Sequence, residues 1–266
     1  IGFENYNKSE HHYAKNISQQ IGSNHNEIIL TNNDVLENFE NIGNIMDDLN
    51  GDRSLIPTYL VSKFAKEKVT VALSGDAADE LFGGYPRHWE LANKYNSYNK
   101  EYNPDKILET YLGYFLPYYN VFDLKKLDKN LYEKFINQFN KHYLHEYRSI
   151  ASSTREFDFN SYLQIVLSKV DNASMKNSLE VRTPYLNNEL IQIASELPDQ
   201  ILFNGQFPKL ILRIILDNYI SNEIATLPKK GFGLPIQNFS FFKKNQMSFY
   251  NESIETLTKI NFFKSD

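Results

Sequence analysis

The chain has 266 residues, 41% of them hydrophobic, with a net charge of −5 and no cysteine. These values exclude disulfides, cysteine-ligated zinc and a cysteine nucleophile, and the sequence has no lysine- and arginine-rich run of the kind that binds nucleic acid. No apolar run is long enough to span a bilayer, so we predict no membrane partner. The composition fits a cytoplasmic protein with one large domain or two small ones.

The first third of the chain alternates between strand and helix patterns. Apolar residues recur at helical spacing in 8–21 and 33–46, and a third helix is expected after a cap at Ser54. Residues 26–30 and the β-branched run 69–73 are predicted strands, the second a buried parallel one. This α/β alternation predicts a doubly wound parallel sheet.

The rest of the chain has a mainly helical pattern. Helical spacing is found in five segments, 104–116, 131–147, 155–180, 187–197 and 207–219. We therefore predict an α/β part over residues 1–90 and a mainly helical part over residues 91–266. A nucleotide-binding role for the first part is the expectation from its segment at residues 73–85.

A predicted strand runs directly into a Ser-Gly turn and a helix start in LSGDAADELFGGY, residues 73–85. In a doubly wound sheet, ligands bind beyond the carboxyl ends of the strands, and a helix N-terminus favours phosphate. Ser74 and Gly75 would let the backbone approach a nucleotide. Asp76 and Asp79, three residues apart on one face of the first turn, offer the oxygen ligands that Mg²⁺ prefers.

The same segment also has a purely structural interpretation. Asp76, Asp79 and Glu80 would favour a helix N-terminus, and Gly83 and Gly84 would end the helix. The segment alone does not separate the two interpretations.

A second charged segment spans residues 171–190, where a predicted helix gives way to extended VRTPYL and Pro184 blocks its continuation. Glu180 and Arg182 lie on either side of this break. They either face a cleft or pair with each other at the surface, and the segment alone favours the surface pair.

Lysines and an arginine near the end of the chain are the remaining candidates. The loop LPKKGFGLP, residues 227–235, presents Lys229 or Lys230 to a phosphate transition state, or is a plain surface turn. Lys209 and Arg213 lie one turn apart on a predicted helix, as phosphate ligands or, more commonly, as a solvated face.

In this order and spacing, the segments resemble the synthetase domain of glutamine-dependent asparagine synthetases over roughly residues 1–240. LSGDAADELFGGY resembles the second nucleotide-site motif of that family, and SMKNSLEVRTPYLN resembles its S-M-x-x-S-x-E-x-R-x-P-F-L-D segment. GQFPKLILR and PKKGFGLP resemble its G-x-x-K-x-x-L-R helix and its P-K-x-G-F-x-x-P loop. The resemblance implies a sheet of the adenine nucleotide alpha hydrolase, or PP-loop, type.

The resemblance also implies a reaction. ATP adenylates the aspartate side chain and releases pyrophosphate, and ammonia then attacks β-aspartyl-AMP to give asparagine and AMP. The ammonia would come from glutamine, hydrolysed by a separate N-terminal domain through which a homodimer could form. ATP and Mg²⁺ are the implied cofactors.

By position, the resemblance assigns roles to individual residues. Asp76 matches an acidic residue needed to form the acyl-adenylate, and Asp79 would hold Mg²⁺ on the pyrophosphate. Lys229 would stabilise the leaving pyrophosphate or the collapsing intermediate, and Glu180 matches an acidic position near the acceptor. Three residues would contact the adenosine part of ATP: Ile1, Ser74 and Gly75.

The sequence departs from the family pattern in several places. The family's first loop, S-G-G-x-D-S, and its glutaminase domain are not among these 266 residues. We therefore expect the chain to be a piece of a longer protein. We also expect that this piece does not make asparagine by itself. Ala77 stands where the family often has glycine, Leu227 and Asn172 replace frequent basic residues, and Asn187 replaces an aspartate.

Two other functions compete with asparagine synthesis. A relative could use the same adenylation for another amide, in β-lactam formation, peptide cyclisation or surface-sugar amidation. A non-catalytic homologue could retain the fold as a binding or regulatory module. The acidic Asp76 favours asparagine synthesis, because β-lactam-forming relatives tend to differ at that position.

Overall fold

The computed structural model describes residues 1–4, 9–39, 52, 54–95, 104–114, 129–143, 149–204, 207–228 and 230–233. Contacts divide the chain into two compact units. Unit 1 comprises Ile1–Tyr85 and Asp158–Pro235, and unit 2 comprises Pro86–Phe157 and Ile236–Asp266. This division differs from a single switch near residue 90, because the chain returns to unit 1 at Asp158. The assignment of functions to the two predicted parts stays a prediction.

Unit 1 contains short strands that pair two by two. β1 (Gly2–Phe3) is parallel to β2 (Ile29–Leu30), and β3 (Val71–Leu73) is parallel to β4 (Glu180–Arg182). The parallel pairing agrees with the prediction. The described residues form two separate two-stranded sheets, so the single doubly wound sheet stays a prediction.

The strand β3 is more exposed than its apolar sequence predicts. Leu73 is 73% exposed and Val71 is 39% exposed. Among the described residues β4 is its only paired strand. Val71 and Leu73 point to the same face of β3, and their exposure shows that the described residues leave this face largely uncovered. The prediction of a buried strand was therefore wrong. The strand β4 itself was predicted only as an extended segment, since three residues are too few to give a clear alternation.

The helices of the first part of unit 1 follow the predicted pattern. They are α1 (His11–Ile21), α2 (Asn32–Phe39), α3 (Leu55–Lys66) and α4 (Ala78–Phe82). Gly22 ends α1 in the left-handed conformation, with φ 69°, as the sequence predicts. The predicted continuation of the second helix over residues 40–46 lies outside the described residues.

Unit 2 is helical in its described residues. Its helices are α5 (Pro86–Tyr95), α6 (Pro104–Gly113), α7 (Lys129–Tyr143) and α8 (Ile150–Asn160), the last of which continues into unit 1 at Asp158. They enclose one apolar cluster with a large aromatic component: Leu91, Ile107, Leu108, Tyr111, Leu112, Phe139, Ile150 and Phe157.

The chain then completes unit 1 with further helices: α9 (Tyr162–Met175), a 3₁₀ turn (Pro184–Leu186), α10 (Asn188–Glu196), α11 (Asp199–Leu202), α12 (Leu210–Leu216) and α13 (Asn222–Ala225). The helix predicted over 155–180 is thus two helices, α8 and α9, separated at Ser161. Side chains from α4, α9, α10 and α11 form a core together with Ala77: Ala77, Leu81, Phe82, Leu163, Val166, Ala194 and Leu202.

A buried polar group joins the start of α3 to α9. The Lys169 ammonium donates to Asp52 Oδ2 at 3.1 Å and to Ser54 Oγ at 2.7 Å, and the Ser54 hydroxyl donates to Asp52 Oδ1 at 2.7 Å. Because its hydroxyl is engaged there, Ser54 precedes α3 without the predicted side-chain capping bond. The lysine charge is buried but paired, as burial requires.

In the described part of the chain, no helix combines the length and hydropathy needed to cross a membrane.

Candidate functional site

The carboxyl ends of β3 and β4 lie side by side in unit 1. Leu73 is in register with Arg182, and the ladder extends one step further because the Ser74 amide donates to the Arg182 carbonyl at 2.9 Å. The hydroxyls of Ser74 and Thr183 are 3.4 Å apart. Ser74 therefore lies at the edge of a parallel sheet where ligands commonly bind.

The turn after β3 is tight and open on one side. A Cβ added to Gly75 would meet no atom within 4 Å, so the backbone there has free space beside it. Ala77 has φ 72° and ψ −10°, in the left-handed region. This conformation starts α4 at Ala78, so Asp76 lies in the turn ahead of the helix and not on its first turn as expected.

Asp79 on α4 forms the central ion pair of the site. Its Oδ1 lies 2.9 Å from the Lys209 ammonium, and both side chains are about three-quarters buried. Lys209 precedes α12 and also has a left-handed backbone, with φ 54°. Non-glycine residues in this region carry strain that the surrounding structure must hold in place.

Gly84 makes room for the Asp79 carboxylate. A Cβ on Gly84 would lie 1.7 Å from Asp79 Oδ1 and 2.9 Å from Asp79 Cα. The Gly84 amide also donates to the Asp79 carbonyl at 2.8 Å, closing α4. The helix-ending role predicted for Gly83 and Gly84 is confirmed, and Gly84 has the additional role of admitting the carboxylate.

A second acidic side chain of α4, Glu80, is buried. The Tyr85 hydroxyl donates to Glu80 Oε1 at 2.8 Å. Burial raises the pKa of Glu80 to about 7 against the Tyr85 hydrogen bond, with the nearby Asp79 and Asp158 carboxylates adding to the rise. Burial also raises the pKa of Tyr85, as does the Glu80 charge. Glu80 thus lies in the first turn of α4, as the structural interpretation expects, and its side chain is buried in the core.

Glu180 and Arg182 form an exposed pair on β4. Arg182 Nε donates to Glu180 Oε1 at 2.8 Å, with more than half of each side chain exposed. Residues two apart on a strand point to the same face. Glu180 is in register with Val71 at the start of β3, whereas Ser74 follows the last residue of that strand. This geometry matches the surface-pair interpretation, and a role for Glu180 near the acceptor stays a prediction.

The remaining candidates are not brought together by the described contacts. Lys229 lies outside the described residues. Its neighbour Lys230 is 3.7 Å from Glu10 Oε1 and lies over the Tyr13 ring at 5.7 Å. Ile1 precedes β1 in the other sheet, and among the described residues no hydrogen bond joins it to Ser74.

The sequence pattern favoured a solvated helix face for Lys209 over a role as a phosphate ligand. The G-x-x-K motif was the available signal. Its pairing with Asp79 could not be found from spacing, because the two residues are far apart in the chain and meet only through the packing of α12 near α4. Gly84 was likewise predicted only as a helix end.

Three departures from the family pattern have structural explanations. Asn187 caps α10 by accepting from the Glu189 and Leu190 amides at 2.9 and 3.3 Å, which an aspartate would also do. Leu227 packs against a small apolar cluster that includes Ile220 and Ile224. Asn172 donates to the Ser168 carbonyl one turn earlier in α9.

Within the described residues, no group of three or more His, Asp or Glu side chains could hold a metal on its own. Mg²⁺ usually binds through one or two carboxylates together with substrate phosphates. Asp76, in the open turn beyond β3, and Asp79, in the first turn of α4, are two carboxylates that fit that kind of shared site. The Lys209 ammonium beside Asp79 would face the same phosphates.

The family model for asparagine synthase matches residues 1–264. The chain belongs to the asparagine synthase family. The family's domain is of the PP-loop type, and the described strands of this member pair in parallel, as in that type.

Curated relatives agree with the family. Asparagine synthetase [glutamine-hydrolyzing] 1 of Bacillus subtilis is 26% identical over 285 residues, covering 93% of this chain and 43% of the relative. A putative asparagine synthetase [glutamine-hydrolyzing] of Mycobacterium tuberculosis is 26% identical over 268 residues, covering 90% and 41%. A third, from Methanocaldococcus jannaschii, is 40% identical over 88 residues, covering 33% and 17%. The chain spans less than half the length of these relatives.

Proposed function

We propose that this chain is the ATP-dependent amide-forming domain of an enzyme that converts aspartate to asparagine. The aspartate β-carboxylate attacks the α-phosphorus of ATP and pyrophosphate leaves, giving β-aspartyl-AMP. Ammonia then attacks the acyl carbon, AMP leaves with the acyl–oxygen electrons, and a proton is lost from nitrogen. The ammonia would be released from glutamine by a domain outside these residues.

The observation that carries the proposal is the Asp79–Lys209 pair beside the open Ser74–Asp76 turn. The pair offers a carboxylate and an ammonium 2.9 Å apart, and the turn follows the carboxyl end of a parallel strand. Phosphoryl and adenylyl transfer needs positioning and charge neutralisation more than covalent chemistry.

In this proposal each residue has a limited task. Ser74 and Gly75 bind the adenosine part of ATP together with Ile1. Asp79 would hold Mg²⁺, which would neutralise phosphate charge when bound. Lys209 binds a phosphate oxygen, Asp76 supports acyl-adenylate formation, Lys229 binds the leaving pyrophosphate, and Glu180 lies near the acceptor.

The test uses the full-length protein that contains this chain. It is mixed with ATP, Mg²⁺, aspartate and either ammonia or glutamine, and pyrophosphate and asparagine are followed together. Asparagine formed in step with pyrophosphate supports the proposal. Pyrophosphate release only with another carboxylate moves the function to a different amide synthetase, and no turnover with any acceptor favours the non-catalytic homologue.

Two variants sharpen this assay. Asp79→Asn keeps the shape of the side chain but removes its charge, and we expect pyrophosphate formation to fall about 100-fold or more. Asp171→Asn removes an exposed charge from α9 and is the matched control. Equal rates for the two variants would contradict the role of Asp79. Residues 1–266 alone, assayed in parallel, test the prediction that they do not make asparagine.

A further inference from the structure

Arg213 on α12 binds backbone carbonyls and not carboxylates in its described hydrogen bonds. Its Nε donates to the Pro208 carbonyl at 2.8 Å, and its Nη1 donates to the carbonyls of Ala225 and Leu227 at 2.7 and 2.8 Å. The guanidinium carbon also lies 5.5 Å from the centre of the Phe207 ring. One side chain therefore joins two segments, residues 207–208 and residues 225–227.

The chemistry of these bonds is specific to arginine. A planar guanidinium directs several N–H groups outward in a fixed fork, whereas a lysine ammonium is a compact point charge on a flexible stem. Arg213 is half-buried, and this burial lowers the pKa of its guanidinium. Two different nitrogens of the fork, Nε and Nη1, donate to the three carbonyls, and the single nitrogen of a lysine ammonium does not reproduce that spacing.

Each joined segment leads directly into a lysine of the proposed site. Pro208 precedes Lys209, whose strained backbone and pairing with Asp79 need a fixed approach. Leu227 precedes Pro228 and the lysine pair that follows it in the sequence. Ala225 and Leu227 are further held by apolar contacts with Ile220 and Ile224.

We propose that Arg213 is a positioning residue. It holds residues 225–227, which lead to Lys229 and Lys230, in a fixed position relative to Lys209. The catalytic consequence rests on the proposed function, because it requires Lys209 and Lys229 to act on phosphate. The positional consequence does not, so the two can be tested apart.

The first experiment measures position without activity. Residues 1–266 are treated with limiting trypsin, and the rate of cleavage after Lys230 is divided by the rate after Lys134, which lies on α7 in unit 2. Arg213→Gln and Arg213→Lys should each raise this ratio about tenfold or more, because hydrogen bonds from a charged donor are lost. The ratio removes any effect of global unfolding, which would raise both rates.

Thr226→Ala is the matched control for this experiment. Thr226 lies between the two bound carbonyls, and its hydroxyl donates to the Asn222 carbonyl at 2.8 Å, so its removal disturbs the same segment but leaves the Arg213 bonds. Its ratio should stay within about twofold of the unsubstituted chain. An unchanged ratio in Arg213→Gln, or full retention by Arg213→Lys, would overturn the proposal.

The second experiment uses the full-length protein. Arg213→Lys should lower kcat for pyrophosphate formation about tenfold or more while the KM for ATP stays within about twofold, since misplaced charge weakens transition-state binding most. An equal change in kcat and KM, with the same thermal midpoint, would contradict the positioning role. If the unsubstituted protein has no activity, the proposed function fails, and the cleavage ratio still decides the role of Arg213.

Discussion

The two units of this chain differ in where the backbone is strained. In the described residues, left-handed conformations of non-glycine residues occur at Ala77, Ser178 and Lys209, all in unit 1. Each is a candidate site residue or lies within two positions of one. The described part of unit 2 has none and instead encloses a cluster of aromatic rings. Strain of this kind persists where the surroundings over-determine the backbone, and it is concentrated at functional sites.

The cores of the two units reflect the same difference. In unit 2, the rings of Tyr111, Phe139 and Phe157 meet with centres 5.1 to 5.5 Å apart. In unit 1, the residues around α4 include the buried carboxyl of Glu80. We infer that the aromatic cluster of unit 2 contributes packing, whereas α4 in unit 1 accepts an energetic cost for the carboxyl of Glu80. Outside its aromatic cluster, unit 2 also buries polar side chains, among them Arg87, His88 and Arg155.

The largest expected effect is the loss of an aromatic ring from unit 2. Phe139→Ala removes a fully buried ring, and we expect the free energy of unfolding to fall by about 3–5 kcal/mol. Urea denaturation followed by circular dichroism measures it. Tyr219→Ala, at a side chain of unit 1 that is 70% exposed, should change stability by less than about 0.5 kcal/mol. Equal losses would contradict the assignment of packing to unit 2.

The second prediction concerns pH and Glu80. The folded pKa of Glu80 is raised from its ordinary value of 4.5 to about 7. Between these two pH values the carboxyl is protonated in the folded chain and ionised in the unfolded chain. Stability from this group should therefore be highest below pH 4.5, fall as pH rises to 7, and stay low above it. The total change is about 3 kcal/mol, at 1.36 kcal/mol for each step of pKa.

Glu80→Gln tests this prediction. An amide oxygen can still accept from the Tyr85 hydroxyl, but it does not ionise, so the variant should be about 3 kcal/mol more stable at pH 8 and should lose the slope between pH 4.5 and 7. Denaturation is measured across this range without nucleotide or metal. Glu109→Gln, at an exposed position on α6, should keep the slope. A slope retained in Glu80→Gln would show that another group causes it.

The sequence predicted the parts of this fold that depend on local pattern. The helices α1, α3 and α10 have clear apolar periodicity. Gly22 and Gly83 end helices in the left-handed backbone conformation, which is a local property of the sequence. The strand β4 was predicted only as part of an extended segment, because three residues contain too little pattern to identify a strand. The exposure of β3 was missed because burial depends on which elements cover a strand and not on its own composition.

The candidate site was predicted unevenly for the same reason. Ser74, Gly75 and Asp76 follow one strand, so their shared location is a local property of the sequence. The pairing of Asp79 with Lys209 and the bonds of Arg213 join distant segments, and no spacing rule contains them. The exposed Glu180–Arg182 pair was predicted as one alternative, since residues two apart on a strand meet without help from the rest of the fold.

A third prediction contrasts a glycine of each unit. Gly84→Ala would force a methyl group against the Asp79 carboxylate and should cost about 1–3 kcal/mol of stability. It should also reduce pyrophosphate formation in the full-length protein, because the Asp79–Lys209 pair is displaced. Gly113→Ala, at the end of α6 where a Cβ meets no atom within 4 Å, should leave stability unchanged or raise it by up to about 1 kcal/mol. Tolerance of Gly84→Ala would mean that Asp79 can move freely.

The smallest expected effects concern the strained residues themselves. Left-handed backbone at a non-glycine residue costs about 1–2 kcal/mol. Substitution by glycine removes this cost, but it also destabilises the protein by about 0.4–1 kcal/mol because the unfolded chain gains conformational entropy. Ser178→Gly, at an exposed position with φ 55°, should therefore stabilise the protein by about 0.5 kcal/mol, the difference between those two terms.

Ala77→Gly relieves the same strain but also removes a methyl group that is 98% buried, since Ala77 is only 2% exposed. Burial of a methyl group contributes about 0.8 kcal/mol, so the net change should be close to zero and smaller than that of Ser178→Gly. Chemical denaturation of both variants in one series measures the difference. A clear gain for Ala77→Gly would mean that the methyl contributes nothing to the core and that alanine is only tolerated there. A clear loss would mean that the packing of this methyl is what holds the turn ahead of Asp79 in its strained form.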